Sequence, residues 1–174
     1  MVRSGTRESW SVAAPETKAE MGWWLPVICS LLRQCETLGI PVIGANFSEA
    51  VGETDVILDA IFGFSFHSEP RAPFDEPIRS FKQTQTPIVS VDIPSGWDIE
   101  TGNPNHVYFT PNVLVSLTAP KRGVKSFSGR HFLGGRFIPP GIVKSYNLKL
   151  PCYPSSVRIP RLFLFCIDHR SIPG

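Results

Sequence analysis

The chain has 174 residues, of which 42% are hydrophobic and 18% are charged, proportions typical of one soluble globular domain rather than a disordered chain. Its formal net charge of +2 provides no strong basic field, so we expect neither a nucleic acid nor a membrane surface as partner. No apolar run approaches the ~20 residues that a membrane-spanning helix needs.

The N-terminal part of the chain predicts one helix and two strands. Residues 1–26 show no clear period, so we leave them unassigned and expect them to be poorly ordered. Apolar residues at helical spacing predict a helix over 27–38, with Gly39 as its C-terminal cap. Residues 40–43 predict a short strand, and the nearly all-apolar run 55–62 predicts a strand buried on both faces of a parallel sheet.

The rest of the chain continues the alternation of helices and strands. Helical spacing of apolar residues over 74–81 predicts a helix, and the apolar runs 87–91 and 112–118 predict parallel strands. A later strand is predicted at 132–138, and two prolines open a short helix that runs to about Tyr146. Strands that alternate with helices predict an α/β layered fold with a mainly parallel sheet.

Two predicted strands end in a carboxylate that is followed by a turn with glycine, Asp59 to Gly63 and Asp92 to Gly96. In parallel sheets, ligands bind beyond the carboxyl ends of the strands, where both turns lie. The two carboxylates could hold a hard cation, and one of them could act as an acid or base. Alternatively, each aspartate caps a helix or turn, and the residues alone leave both uses open.

Other kinds of site have little support in the sequence. The four cysteines and four histidines lie apart from one another without metal-ligand spacing, so we assign no transition metal. The chain has neither the GxGxxG nor the GxxxxGK[ST] phosphate-binding motif.

Longer motifs around these two turns resemble the NAD(P)H-hydrate epimerase family, also called the YjeF N-terminal domain family. The main match is the run from Val56 to Phe66 followed by the run from Pro87 to Asp98, which includes Asp-Ile-Pro-Ser-Gly-Trp-Asp. The resemblance covers about Leu31 to Arg158. Shorter matching stretches are 117–121, 127–130, 133–140 and 150–154.

The resemblance implies a Rossmann-like three-layer αβα fold and an isomerase of metabolite repair. The substrate would be hydrated NADH or NADPH, whose R and S epimers are interconverted at the hydrated ring carbon. It also implies one K⁺ per subunit, a homodimer, a functional link to an NAD(P)H-hydrate dehydratase, and a mitochondrial or cytoplasmic location, or both.

The resemblance also assigns residues to the site. Asp59 and Ser95 match the potassium ligands of the family, and Asp92 matches a substrate contact that we take as the catalytic carboxylate. The residues that match the substrate-binding loop are Gly63, Phe64, Ser65, Phe66, His67, Ser68 and Glu69.

One family feature has no counterpart in this chain, the Asn-Asn-Gly-Gly-Asp-Gly loop that follows the first strand of the core. We therefore expect an incomplete family domain at 27–158 that lacks its first strand–loop–helix unit, followed by a divergent tail at 159–174. Three interpretations remain: an active epimerase, a catalytically inactive truncated member that acts as a binding or interaction protein, or a fragmentary gene product.

Overall fold

The computed structural model describes residues 2–4, 9–13, 25–43, 47–66, 69–72, 74–134, 138–148 and 165–166. The strands are β1 Val2–Ser4, β2 Ser9–Ala13, β3 Val42–Ile43, β4 Thr54–Asp59, β5 Ile88–Val91, β6 Val113–Leu117, β7 Arg130–Gly134 and β8 Phe165–Cys166. The helices are α1 Leu25–Thr37, α2 Phe47–Gly52, α3 Asp75–Gln83 and α4 Pro140–Ser145, with a short 3-10 helix at Arg122–Val124.

The strands form one eight-stranded sheet in the order β3-β2-β1-β4-β5-β6-β7-β8. Strands β4 to β7 are parallel neighbours, and β2 pairs with β3 in parallel, whereas β1 is antiparallel to both of its neighbours. Helix α3 lies between β4 and β5, and the 3-10 helix lies between β6 and β7. The predicted Rossmann-like α/β class with a mainly parallel sheet is confirmed.

The segment 1–26, which we expected to be poorly ordered, contains β1 and β2 among its described residues. β2 is followed along the chain by α1 and then by β3, so these elements make a strand–helix–strand unit at one end of the sheet. The place beside β4 is filled by the antiparallel strand β1. Of the tail at 159–174, the described residues are those of β8, which pairs with β7.

The C-terminus of α1 is set by Gly39, as its position after the apolar period predicts. Gly39 has a φ of 68°, a left-handed conformation that favours glycine. Its N–H donates to the carbonyl of Glu36 at 3.0 Å, and the N–H of Ile40 donates to the carbonyl of Cys35 at 2.8 Å. These two bonds make a Schellman cap, which satisfies carbonyls that the helix leaves unpaired.

Helix α3 packs against the parallel strands through the apolar face that its sequence predicts. Ile78 and Phe81 are buried, and both belong to a core cluster with Ile57 of β4 and Ile88 of β5. Ile57 and Ile88 are register partners, so the cluster spans neighbouring strands. This packing fixes the strands whose carboxyl ends carry the site.

Several predicted boundaries differ from the structure. The strand predicted at 55–62 ends at Asp59, because the N–H of Phe62 bonds to the side chain of Ser95 instead of to a neighbouring strand. The strand predicted at 132–138 begins earlier, at Arg130, which pairs with the first residue of β6; residues 135–137 lie outside the described part. Helix α2 and the 3-10 helix were not predicted, because each is too short to show a period.

Two glycines bring distant loops into backbone contact. A Cβ on Gly102, which has a φ of 75°, would lie 2.1 Å from the carbonyl oxygen of Gly123. The N–H of Gly123 in turn donates to the carbonyl of Ile99 at 2.6 Å. The loop after β5 is therefore joined to the 3-10 helix after β6 through atoms of the main chain.

Among the helices of the described ranges, none is long and apolar enough to span a bilayer.

Candidate active site

The candidate site lies at the carboxyl edge of the parallel strands β4, β5 and β6. Asp59 ends β4, Asp92 directly follows β5, and Lys121 lies in the turn that follows β6. Because the three strands are adjacent and parallel, their ends meet at one edge of the sheet. The structure thus brings together the two turns that the sequence singles out.

The carboxylate of Asp59 is buried and accepts hydrogen bonds from neutral groups of the neighbouring strand and turn. One oxygen, Oδ2, accepts from the Ser90 hydroxyl at 2.7 Å and from the Ser95 N–H at 2.9 Å, and Oδ1 accepts from the Ser95 hydroxyl at 2.6 Å. Asp59 as a whole is 1% exposed. Burial raises the pKa of the Asp59 carboxyl, while the hydrogen bonds from Ser95, Ser90 and the backbone oppose that shift.

The donor set around Asp59 suits a hard cation. Carboxylate and hydroxyl oxygens of Asp59 and Ser95 are ligands that such ions accept. These hydrogen bonds to Asp59 come from uncharged groups, so a cation would supply a charge partner to a buried anion. No group of three or more His, Cys, Asp or Glu side chains that could hold a metal occurs in the described residues.

The backbone of Asp92 adopts an uncommon conformation that turns its side chain toward the loop after β4. Its φ is 71°, a value rare for residues other than glycine. Oδ2 accepts the N–H of Phe64 at 2.9 Å, and Oδ1 forms an ion pair with Lys121. Gly63 lies close by, since a Cβ there would be 3.2 Å from Oδ2 of Asp92.

The predicted substrate-binding loop is described except at His67 and Ser68. Phe64 is 64% exposed, and Ser65 is also exposed. The ring of Phe66 stacks on the ring of Phe62, with centroids 3.7 Å apart. Phe66 and the exposed Glu69 line a groove of about 300 Å³ that continues past Trp97 and Tyr108.

Tyr108 covers the turn after β5 on the side of this groove. A Cβ on Gly96, which has a φ of 92°, would lie 2.7 Å from the Tyr108 ring, so the phenol packs directly on the turn. Burial raises the pKa of Tyr108, the negative charge of Glu69 raises it further, and the positive charge of Arg79 lowers it. The phenol of Tyr108 therefore stays protonated at neutral pH.

The long sequence separations of these bonds bear on the two uses that the sequence left open for the aspartates. The bonds from Ser90 and Ser95 to Asp59 span 31 and 36 positions, and the bond from Phe64 to Asp92 spans 28. A carboxylate that capped its own turn would bond to backbone groups within a few residues. Both aspartates connect separate turns at the edge of the sheet, and Asp59 in addition accepts a local bond from the backbone N–H of Ile61.

Two residues of this site were not assigned a role from the sequence, Ser90 and Lys121. Ser90 is a fully buried polar residue in an otherwise apolar strand, and that exception is a signal that the sequence carries. Lys121 lies 29 positions from Asp92, and its spacing indicates no partnership. Two features could have drawn attention to it: its place after the end of a parallel strand, and its position in the matching stretch 117–121.

Comparison with known proteins shows which proteins this chain is similar to. The model of the family described as YjeF-related protein N-terminus matches residues 27–123. A Puccinia graminis f. sp. tritici protein named NAD(P)H-hydrate epimerase is 95% identical over 130 residues, which are 75% of this chain and 54% of that protein. A Neurospora crassa protein of the same name is 52% identical over 126 residues, 71% of this chain and 53% of that protein.

A solved structure is similar over most of the chain. The crystal structure of the yeast protein ynu0 superposes with a TM-score of 0.73 at 31% identity and covers 90% of this chain and 65% of the yeast chain. The chain spans about half the length of the curated relatives it matches, at 54% and 53% for the two named above.

Proposed function

The chain belongs to the family of the YjeF-related protein N-terminus, and we propose that it acts as an NAD(P)H-hydrate epimerase. The reaction would interconvert the R and S epimers of hydrated NADH or NADPH. The observation that carries the proposal is the Asp92 carboxylate, held at the carboxyl edge of the sheet by Lys121 and by the N–H of Phe64. The names of the relatives support the same substrate.

The chemistry needs a proton acceptor beside the hydrated carbon. That carbon bears both a ring nitrogen and a hydroxyl group, so it loses its configuration when the ring opens. In this step Asp92 takes the hydroxyl proton, the carbon–nitrogen bond breaks, and its electron pair goes to the ring nitrogen. Rotation of the resulting aldehyde, ring closure on the other face and return of the proton give the second epimer with no net oxidation or reduction.

The loop after β4 would hold the substrate against Asp92. Phe64 presents an exposed ring beside Lys121, whose ammonium nitrogen is 5.9 Å from the ring centroid. An exposed aromatic face at the mouth of a site suits the planar rings of a dinucleotide. We assign substrate binding to this loop from Gly63 to Glu69, with Asp92 contacting the reacting end.

A potassium ion is the cofactor that we propose for the buried edge of the site. Asp59 and Ser95 would hold it through carboxylate and hydroxyl oxygens, and the short contact between these two side chains supports the proposal. The ion would neutralise the buried Asp59 carboxylate and provide positive charge for the diphosphate of the substrate.

The wider setting of the reaction follows from the family resemblance. We propose that the chain acts as a homodimer in mitochondria or cytoplasm, or in both. A dehydratase that consumes one epimer would be its functional partner, since removal of that epimer makes the interconversion productive. We propose no nucleic-acid or membrane partner.

The test starts from one purified epimer of hydrated NADH and follows the appearance of the other by chromatography. Wild-type protein should accelerate equilibration over buffer, and Asp92→Asn should reduce the rate by roughly 100- to 10,000-fold. Asp55→Asn, a matched change at an exposed position, should leave the rate unchanged. A folded wild-type protein with no rate above buffer contradicts the proposal; calorimetric binding of the hydrate in that same sample would then favour a binding protein.

A further inference from the structure

The ammonium group of Lys121 donates hydrogen bonds to three acceptors at the carboxyl edge of the sheet. It pairs with Oδ1 of Asp92 and donates to the carbonyls of Leu117 at 3.0 Å and Ala119 at 3.3 Å. A lysine ammonium has three N–H donors, so this set accounts for all of them. The Lys121 side chain is 16% exposed, so these contacts are made largely out of water.

The acceptors of Lys121 belong to two three-residue turns of the same unusual form. After β5, the N–H of Ile93 donates to the carbonyl of Val91 at 3.0 Å around Asp92, whose φ is 71°. After β6, the N–H of Ala119 donates to the carbonyl of Leu117 at 2.8 Å around Thr118, whose φ is 67°. Such tight turns with positive φ are rare and strained, and Thr118 is β-branched, which makes the conformation more costly.

Strained turns persist where surrounding contacts determine them, and they concentrate at functional sites. Here the contact common to both turns is Lys121, which bonds to the carboxylate at the centre of one and to carbonyls on either side of the centre of the other. The ion pair links strand ends that are neighbours in the sheet.

We infer that Lys121 is a positioning residue for Asp92, an inference that rests on the proposed epimerase function for its catalytic consequence. Lys121 holds Oδ1, and the N–H of Phe64 holds Oδ2, so rotation of the carboxylate is blocked from both sides. A general base held in one orientation meets the substrate hydroxyl in reacting geometry more often than a free one. Loss of the Lys121 charge should therefore lower the rate of the chemical step more than it weakens substrate binding.

The first measurement uses Lys121→Met, Lys121→Arg and the matched control Lys125→Met, which alters an exposed lysine. In Lys121→Met we expect amide exchange at Phe64 to accelerate by roughly tenfold or more, because its acceptor becomes mobile. We also expect the kcat of Lys121→Met to fall by roughly 100-fold while its KM changes by less than about threefold. In Lys121→Arg, both the faster exchange at Phe64 and the fall in kcat should be smaller. Wild-type exchange at Phe64 and wild-type kcat in a folded Lys121→Met protein would overturn the inference.

A second measurement needs no Lys121 variant and covers the case in which Lys121→Met does not fold. In the ¹⁵N-labelled wild-type protein, the Lys121 ammonium should give a slowly exchanging signal, which Asp92→Asn shifts and Asp55→Asn does not. A Lys121 signal that exchanges as fast as that of Lys125 would overturn the inference. If the wild-type protein has no turnover, the proposed function fails, and the Phe64 and Lys121 measurements still decide the positioning role.

Discussion

The hydroxyl group of Ser95 donates to Oδ1 of Asp59 at 2.6 Å, and its oxygen also accepts the backbone N–H of Phe62 at 3.1 Å. One buried hydroxyl therefore connects the turn after β5 to both the end of β4 and the loop beyond it. The connection explains why β4 stops at Asp59 although the apolar run continues, since the next backbone donors are taken by side chains.

Ser95→Ala should destabilise the fold measurably. The substitution leaves one oxygen of a buried carboxylate and one backbone N–H without their partner, and each unpaired buried group costs about 1–3 kcal/mol. Urea unfolding should report a lower free energy of unfolding with an unchanged m-value. Ser126→Ala, at an exposed position, is the control; equal stability of the two variants would show that the Ser95 bonds contribute nothing net.

The pKa of Asp59 predicts how stability depends on pH in potassium-free buffer. Burial raises this pKa above the ordinary value of 3.8, so the folded state binds the proton more tightly than the unfolded state does. The contribution to stability is complete below about 3.8 and is lost as the pH rises through the raised pKa. Asp59→Asn removes the titrating group, so its free energy of unfolding should decline less from acid to neutral pH.

The comparison is made by urea unfolding of both proteins at several pH values between about 4 and 8. The difference in free energy of unfolding between wild type and Asp59→Asn should change with pH, and the wild type should gain stability relative to the variant as the pH falls. Asp55→Asn supplies the baseline for loss of an exposed carboxylate. A difference that is constant over this range would contradict the assignment of the pH dependence to Asp59.

Potassium should raise the melting temperature if Asp59 and Ser95 hold the ion. Ligand that binds the folded state alone adds about 2.7 kcal/mol at 100 times its Kd, and the stabilisation grows with concentration. Tetramethylammonium chloride at equal ionic strength controls for screening. Asp59→Ala should abolish the potassium-specific rise in melting temperature. A wild-type melting temperature that responds equally to both salts would contradict the potassium site.

Gly63→Ala should weaken the site because of the close approach of Asp92. The added Cβ would lie 3.2 Å from Oδ2 of Asp92, so the carboxylate must move and its bond to the Phe64 N–H must lengthen. Amide exchange at Phe64 and the free energy of unfolding should both report the change. Gly52→Ala is the matched control, since nothing lies within 4 Å of its new Cβ; equal effects of the two substitutions would contradict the expected crowding.

The sequence predicts the parallel part of the fold well, because strands buried in such a sheet are nearly continuous apolar runs. The predicted strands at 87–91 and 112–118 correspond to β5 and β6 within one residue at each end. Gly39 and the prolines at the start of α4 also have the local roles that their residue types predict. These features depend on interactions between residues close in sequence or on burial of a whole strand.

What the sequence does not reveal depends on contacts between distant residues. The end of β4 is decided by Ser95, 33 positions after Phe62. The partnership of Lys121 with Asp92 exists only once β5 and β6 are adjacent, and the positive φ of Thr118 has no signal in a residue type that disfavours it. The pattern at the strand ends singled out Asp59 and Asp92, and the resemblance gave Asp59, Ser95 and Asp92 their separate roles. The structure adds the bonds that join their turns.

The contact between Gly102 and Gly123 sets a limit on the variation that this chain tolerates. At either position even a methyl group would meet a backbone oxygen at 2.1 Å, and neither oxygen can move without its loop. In a library of all single substitutions selected for soluble protein, these two positions should keep glycine alone. Exposed positions such as Asp55 should accept replacements in that same selection, so the pair marks a requirement of folding alone.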